Sequence, residues 1–147
     1  LINMKLNDKD WYDLYTHWKE YAGENNLFSQ GLICWNPTGS YYTFVDKSKA
    51  KDVDVICFIR DHTKFNKAVC PLFEVTSDEY YKLITGESLF ITYKGFLIPE
   101  IPFNLIVTID NVFYSRFVAA TLLCKQLNIE KKEDRIAMFK LVMGDKT

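Results

Sequence analysis

Residues 53–60 carry apolar side chains on both sides of an extended chain: Val53, Val55, Cys57 and Ile59 on one, Ile56 and Phe58 on the other. Alternate residues of a strand point to opposite faces of its sheet. A run apolar at both parities is therefore satisfied only in the interior of a sheet covered on both faces. Residues 103–109 repeat the pattern. Two such strands in 147 residues call for one sheet with helices packed over it.

The rest of the chain can be read around those strands. Trp11, Leu14, Tyr15, Trp18, Tyr21 and Ala22 recur at helical spacing within residues 8–23, behind a capping Asn7 and ahead of Gly23. Residues 31–35 and 41–45 read as strands joined through Asn36, Pro37, Thr38, Gly39 and Ser40, turn residues that predict a hairpin. Residues 61–66 are polar and read as a loop, and 69–76 as a strand. Thr76, with Glu79 three residues on, predicts a capped helix ending near Gly86. Residues 89–93 and 96–98 read as strands about a turn at Lys94 and Gly95. Residues 112–127 form a helix apolar almost all round, a pattern that predicts burial, and 130–143 a final amphipathic helix closed by Gly144. The expected architecture is one α+β domain over residues 1–147. It has a mixed, mostly antiparallel sheet, an N-terminal helix, one short middle helix and two C-terminal helices.

Composition excludes several classes. Hydrophobic residues at 48% and charged residues at 25% are incompatible with wholesale disorder. A net charge of −1 gives no global pull toward anionic membranes and does not favour a nucleic-acid partner. No apolar run reaches membrane-spanning length, so no membrane partner is expected. The first six residues lack a signal pattern, which points to a cytoplasmic protein. The four cysteines form no C-x-x-C pair and read as free thiols packed as small hydrophobes. Two histidines are too few for a zinc site without paired cysteines.

One carboxylate pair stands out. If residues 53–60 and 70–76 form an antiparallel hairpin centred near residue 65, Asp54 faces Thr76 and Glu74 faces Ile56. The two carboxylates are then diagonal neighbours on one face, able to hold a divalent cation that activates water against a phosphodiester. An Asp opening one strand, followed by a Glu on a strand that leads into a helix, resembles the core of the PD-(D/E)xK nucleases. The likeness spans residues 53–85, after a helix carrying Glu20. Thr76 stands where that family places its lysine, and Lys82 in the next helix is the substitute. The resemblance implies a metal-dependent nuclease, active or degenerate, with Asp54, Glu74, Lys82 and Glu20 as its site and Mg or Mn as its cofactor. Outside that reading no cofactor, metal or catalytic residue is expected.

A second cluster is aromatic. Trp35, Tyr41, Tyr42 and Phe44 lie close in sequence to Lys47, Lys49 and Lys51. Such a pattern serves base stacking with phosphate contacts, or the packing of rings on the helix of Trp11 and Trp18. His62, between Asp61 and Thr63, has no nucleophile at matching spacing. Phosphate-loop, dinucleotide, serine-hydrolase and zinc-protease motifs are all missing from the sequence. Aromatic residues make up 16% of the chain, and aromatics are enriched at interface centres. Abundant Lys, Asn, Ile, Phe and Tyr match AT-rich coding. The leading expectation is therefore a small interaction protein, phage- or mobile-element-encoded, that binds and inhibits a host macromolecule in the host cytoplasm. Its partner would be a host protein, met through Tyr12, Tyr41, Tyr42, Tyr80 and Tyr81. A virion or assembly component, seen as a homo-oligomer, is the third expectation.

Overall fold

The computed structural model describes residues 14–144. In chain order they form α1 (Leu14–Glu24), β1 (Leu32–Thr38), α2 (Gly39–Thr43), β2 (Val53–Ile59), α3 (His62–Val69) and β3 (Phe73–Glu74). There follow α4 (Ser77–Thr85), β4 (Ile91–Ile98), β5 (Ile101–Thr108), α5 (Asn111–Gln126) and α6 (Lys132–Met143). The strands make one five-stranded sheet in the order β1-β2-β5-β4-β3. β2 and β5 run parallel, and every other pairing is antiparallel. The two strands apolar at both parities are thus the second and the central strand, with neighbours on each side.

The odd-numbered residues of the central strands build the larger core. Val53, Val55, Cys57, Phe103, Leu105 and Val107 are buried beneath Leu14, Trp18 and Ala22 of α1 and Phe65 and Val69 of α3. The even-numbered residues face α5 and α6, where Ile56 meets Phe113 and Met143. Cover on this second face is partial. Asn104 and Ile106 are half-buried and Lys94 is exposed, so a groove remains over the β5–β4 half of the sheet.

Several local expectations are corrected. No hairpin joins residues 31–35 to 41–45, because Gly39 turns the chain at φ +76° and residues 39–43 become α2. Tyr41 turns inward from that helix, and its hydroxyl accepts the backbone N–H of Leu14 at 3.2 Å. Residues 61–66 are not a loop. Asp61 caps α3 by accepting the Lys64 N–H at 3.0 Å, and Phe65 and Val69, four apart, bury one helical face. The strand at 69–76 shrinks to the two residues of β3. β4 runs straight through Lys94 and Gly95, and the turn falls at Pro99–Glu100, with Glu100 at φ +69°. A side chain at residue 95 would run into Leu72 and Phe73, so this glycine serves packing and not a turn. α5 buries only the stripe of Phe113, Ala120, Thr121 and Cys124, leaving Val112 and Leu127 exposed, because a helix on a sheet hides one side alone.

The middle and penultimate helices start where their caps lie. Thr76 accepts the Glu79 N–H at 3.1 Å, and Asp110 accepts the Phe113 N–H at 2.8 Å. The four cysteines stand free: Cys57 and Cys124 buried, Cys34 half-buried and Cys70 exposed. Among the described residues no helix is long and apolar enough to cross a membrane.

Candidate functional site

One row of residues crosses all five strands in register: Thr38, Asp54, Asn104, Lys94 and Glu74. Residues paired across neighbouring strands project to the same face, here the partly covered one. Asp54 and Glu74 therefore share a face, though β2 and β3 are not neighbours and the assumed hairpin between them does not exist. Three interstrand steps separate them, about 14 Å, with Asn104 and Lys94 between, too far for one cation to bridge.

Of the other parts of the nuclease constellation only Lys82 comes near Asp54, as a lining residue of the same cavity. Thr76 is spent as the cap of α4. Lys82 pairs with Asp78 one turn earlier, at 3.5 Å. Glu20 is exposed on α1, which packs on the opposite face of the sheet.

A different acid completes the pair. Asp52 and Asp54 are two residues apart at the entrance to β2. The Asn104 amide donates to Asp54 Oδ1 at 2.8 Å and to Asp52 Oδ2 at 3.1 Å, tying the two carboxylates together. Burial and the Asp52 charge push the Asp54 carboxyl up to about 6, against the pull of the Asn104 hydrogen bond and the Arg135 charge. Gly39 lies against the Asp54 carboxylate, and a side chain there would occupy the space of Oδ2. From behind, the Tyr15 hydroxyl donates to the backbone oxygens of Thr38 at 3.2 Å and Asp54 at 3.0 Å, fixing the strand.

Asp54 stands where two cavities meet. One, of about 380 Å³, lies between α2, β2, α5 and α6, with Phe117, Ile136 and Phe139 as apolar walls and Lys132, Arg135 and Lys140 as cations. The other, of about 510 Å³, lies over β5 and β4 beside α4, with Lys82, Lys94 and Glu79. Asp54 and Ile106 line both. The carboxylate pair is thus flanked by more cations than acids, an arrangement that suits a ligand that is itself anionic. Among the described residues no third Asp, Glu, His or Cys joins the pair in metal-holding range. Asp54 faces the open space, and with Asp52 tied beside it the pair can hold one magnesium-like cation, which keeps waters and takes its remaining ligands from substrate phosphates.

The tyrosines chosen from sequence part company. Tyr12 lies outside the described residues. Tyr41 is 1% exposed and belongs to the core, so it cannot meet a partner. Tyr42 is half-buried with the Lys125 ammonium 3.8 Å above its ring, and Tyr80 is half-buried with its hydroxyl 3.2 Å from His62 Nδ1. Tyr81 is 63% exposed.

Sequence reading reached Asp54 and passed over Asp52, Asn104, Gly39 and Arg135. The Asp-x-Asp spacing was a usable signal, since residues i and i+2 share a face. Asn104 and Arg135 carried none, because parallel pairing and helix docking bring them to Asp54.

No protein-family model matches the chain, and no curated protein matches it. Among solved structures the fold is similar to the crystal structure of conserved protein GrpB from Enterococcus faecalis. The TM-score is 0.51 at 12% identity, over 90% of this chain and 92% of that one. At that identity the likeness concerns the fold alone.

Proposed function

We propose that the groove binds a phosphate ester or anhydride of nucleotide type through one divalent cation on Asp52 and Asp54, and transfers a phosphoryl or nucleotidyl group there. The observation that carries this reading is the position of Asp54, tied to Asp52 by Asn104, at the junction of an apolar cavity and a polar one. Asp52 and Asp54 would hold the cation, which when bound would offset the repulsion between carboxylates and phosphate and supply Lewis-acid character. Attack by water or an acceptor hydroxyl forms the new P–O bond and releases its proton to solvent, while the bond to the leaving oxygen breaks and that oxygen keeps the electron pair. Lys132, Arg135 and Lys140 supply positive charge toward the phosphates, and Phe117 and Phe139 an apolar wall for a ring.

The test is phosphorus NMR of a nucleoside triphosphate incubated with the chain. With Mg²⁺ or Mn²⁺ the triphosphate is slowly converted, and conversion stops in EDTA and in Asp54→Asn. No conversion with either cation, or conversion indifferent to residue 54, defeats the proposal.

Adhesion to a host macromolecule, including the inhibitor role expected of a phage-encoded protein, is the second reading. The exposed ring of Tyr81 on α4 favours it. Alanine at residue 81 would abolish capture of such a partner while leaving the melt unchanged; capture at wild-type strength would defeat this reading.

A further inference from the structure

The aromatic and lysine cluster that the groove does not use forms a slot of its own. It lies at the β1 edge of the sheet, with a volume of about 230 Å³ and without Asp54 in its lining. Its walls include Tyr15, Trp35 and Tyr42, and Lys19, Lys47 and Lys125 stand round it, with no acidic side chain in the lining. Tyr15 stacks on Trp35 at 6.4 Å and meets Tyr42 edge-on at 6.5 Å. Lys47 donates to the Tyr41 carbonyl at 2.6 Å, and Lys125 to the Tyr42 carbonyl at 3.1 Å. Neither lysine forms an ion pair among the described residues, whose ion pairs are Lys49–Glu130 and Lys82–Asp78. Two ammonium groups are thus held near the same short helix without a carboxylate to offset them, and burial with mutual repulsion makes Lys47 easier to deprotonate than a free lysine.

We infer that this slot is a second binding site, for a nucleobase with its phosphate attached. A ring can enter among Tyr15, Trp35 and Tyr42, while the phosphate replaces the carboxylate that Lys125 and Lys47 lack. Stacking on aromatic side chains tolerates any base, so selectivity for one base is not expected. The cavity holds one ring system, so the ligand is a mononucleotide or one nucleotide of a single strand. The chain as a whole is nearly neutral, which makes the attraction local, from Lys19, Lys47 and Lys125. This site stands independently of the groove: it needs no cation and no Asp54.

Binding of a fluorescein-labelled thymidine decamer to the full chain, followed by anisotropy in EDTA, tests it. Thymidine monophosphate is the competitor. Expected are saturable binding at low salt, a slope of log affinity against log salt of about −0.7 for the one phosphate, and unchanged affinity in Asp54→Asn. Lys125 is bonded to Tyr42 of α2, so the exposed Lys19 is also changed alone: Lys19→Ala and Lys19→Ala/Lys125→Met both weaken binding, the double variant at least fivefold, and Trp35→Leu weakens it too. Competition by the monophosphate assigns the site to free nucleotides as well as strands, and its failure assigns it to strands. No binding at low salt, equal binding by the double lysine variant, or loss in Asp54→Asn overturns the inference.

Discussion

Gly39 lies against the Asp54 carboxylate so closely that a methyl group on residue 39 would overlap Oδ2. The glycine also sits at φ +76°, in the left-handed region that other residues occupy at a cost. It thus answers two demands at once: it turns the chain from β1 into α2, and it leaves room for an acid at the head of β2. Gly39→Ala should displace the carboxylate and lower stability by about 1–3 kcal/mol, the scale of strained backbone positions. Thermal melting and Mn²⁺ titration should show a lower Tm and weaker cation binding together. A variant as stable as the parent would mean that the close approach is relieved without cost.

The raised Asp54 carboxyl makes stability depend on pH in a defined sense. Its folded value of about 6 exceeds the ordinary 3.8, so the folded state holds the proton more tightly than the unfolded chain does. That contribution is complete below about 3.8 and is lost as pH rises through 6. At pH 7.5 Asp54→Asn should therefore be more stable than the parent by about 1–3 kcal/mol, with the gap closing near pH 4. Denaturant melts at the two pH values check this. Cation binding, which needs the carboxylate, should strengthen in the parent between pH 5 and 7.

Asn104 holds both carboxylates, and its replacements separate two roles. Asn104→Leu should leave Asp52 and Asp54 to repel each other without the amide, costing about 1–3 kcal/mol above pH 6, as for a lost hydrogen bond to charged groups. Asn104→Asp adds a third acid to the cluster. It should destabilise the cation-free protein and raise Mn²⁺ affinity at least tenfold, measured by calorimetry. An unaltered Mn²⁺ affinity would place the cation elsewhere.

Glu74 shares the row of Asp54 and stands three strands away. Glu74→Gln should leave Mn²⁺ binding within twofold of the parent, where Asp54→Asn removes it. An equal loss in both would show that the cation site spans the row.

Tyr41 and Tyr81 differ in what alanine takes away. Tyr41→Ala empties a core position 1% exposed and removes the acceptor of the Leu14 N–H, so about 3–5 kcal/mol should be lost. Tyr81→Ala, 63% exposed, should change stability by less than about 0.5 kcal/mol. Paired denaturant melts distinguish them.

Some of this was written along the chain. Val53 to Ile59 and Phe103 to Val107, apolar throughout but for Asp54 and Asn104, demanded interior strands, because burial must satisfy each side of a pleat, and the two polar interruptions fall where the second face is left partly open. Thr76 before Glu79 announced the start of α4, since a hydroxyl at that spacing meets an orphan N–H. Asp54 announced itself as an acid in an apolar run. What the sequence left open depended on partners far along the chain. Asp54 meets Asn104 only because β5 enters the sheet parallel to β2, fifty residues later. Asp54 and Glu74 were kept apart because β5 and β4 lie between their strands, and hydrogen-bonding neighbours are chosen by the whole sheet. Tyr41 went inside because a glycine turned a strand into a helix and aimed the ring at the core. Local chemistry settled which segments are extended, helical or capped. Which side chains share a cavity was settled by strand order and helix docking, through contacts between residues that no local pattern links.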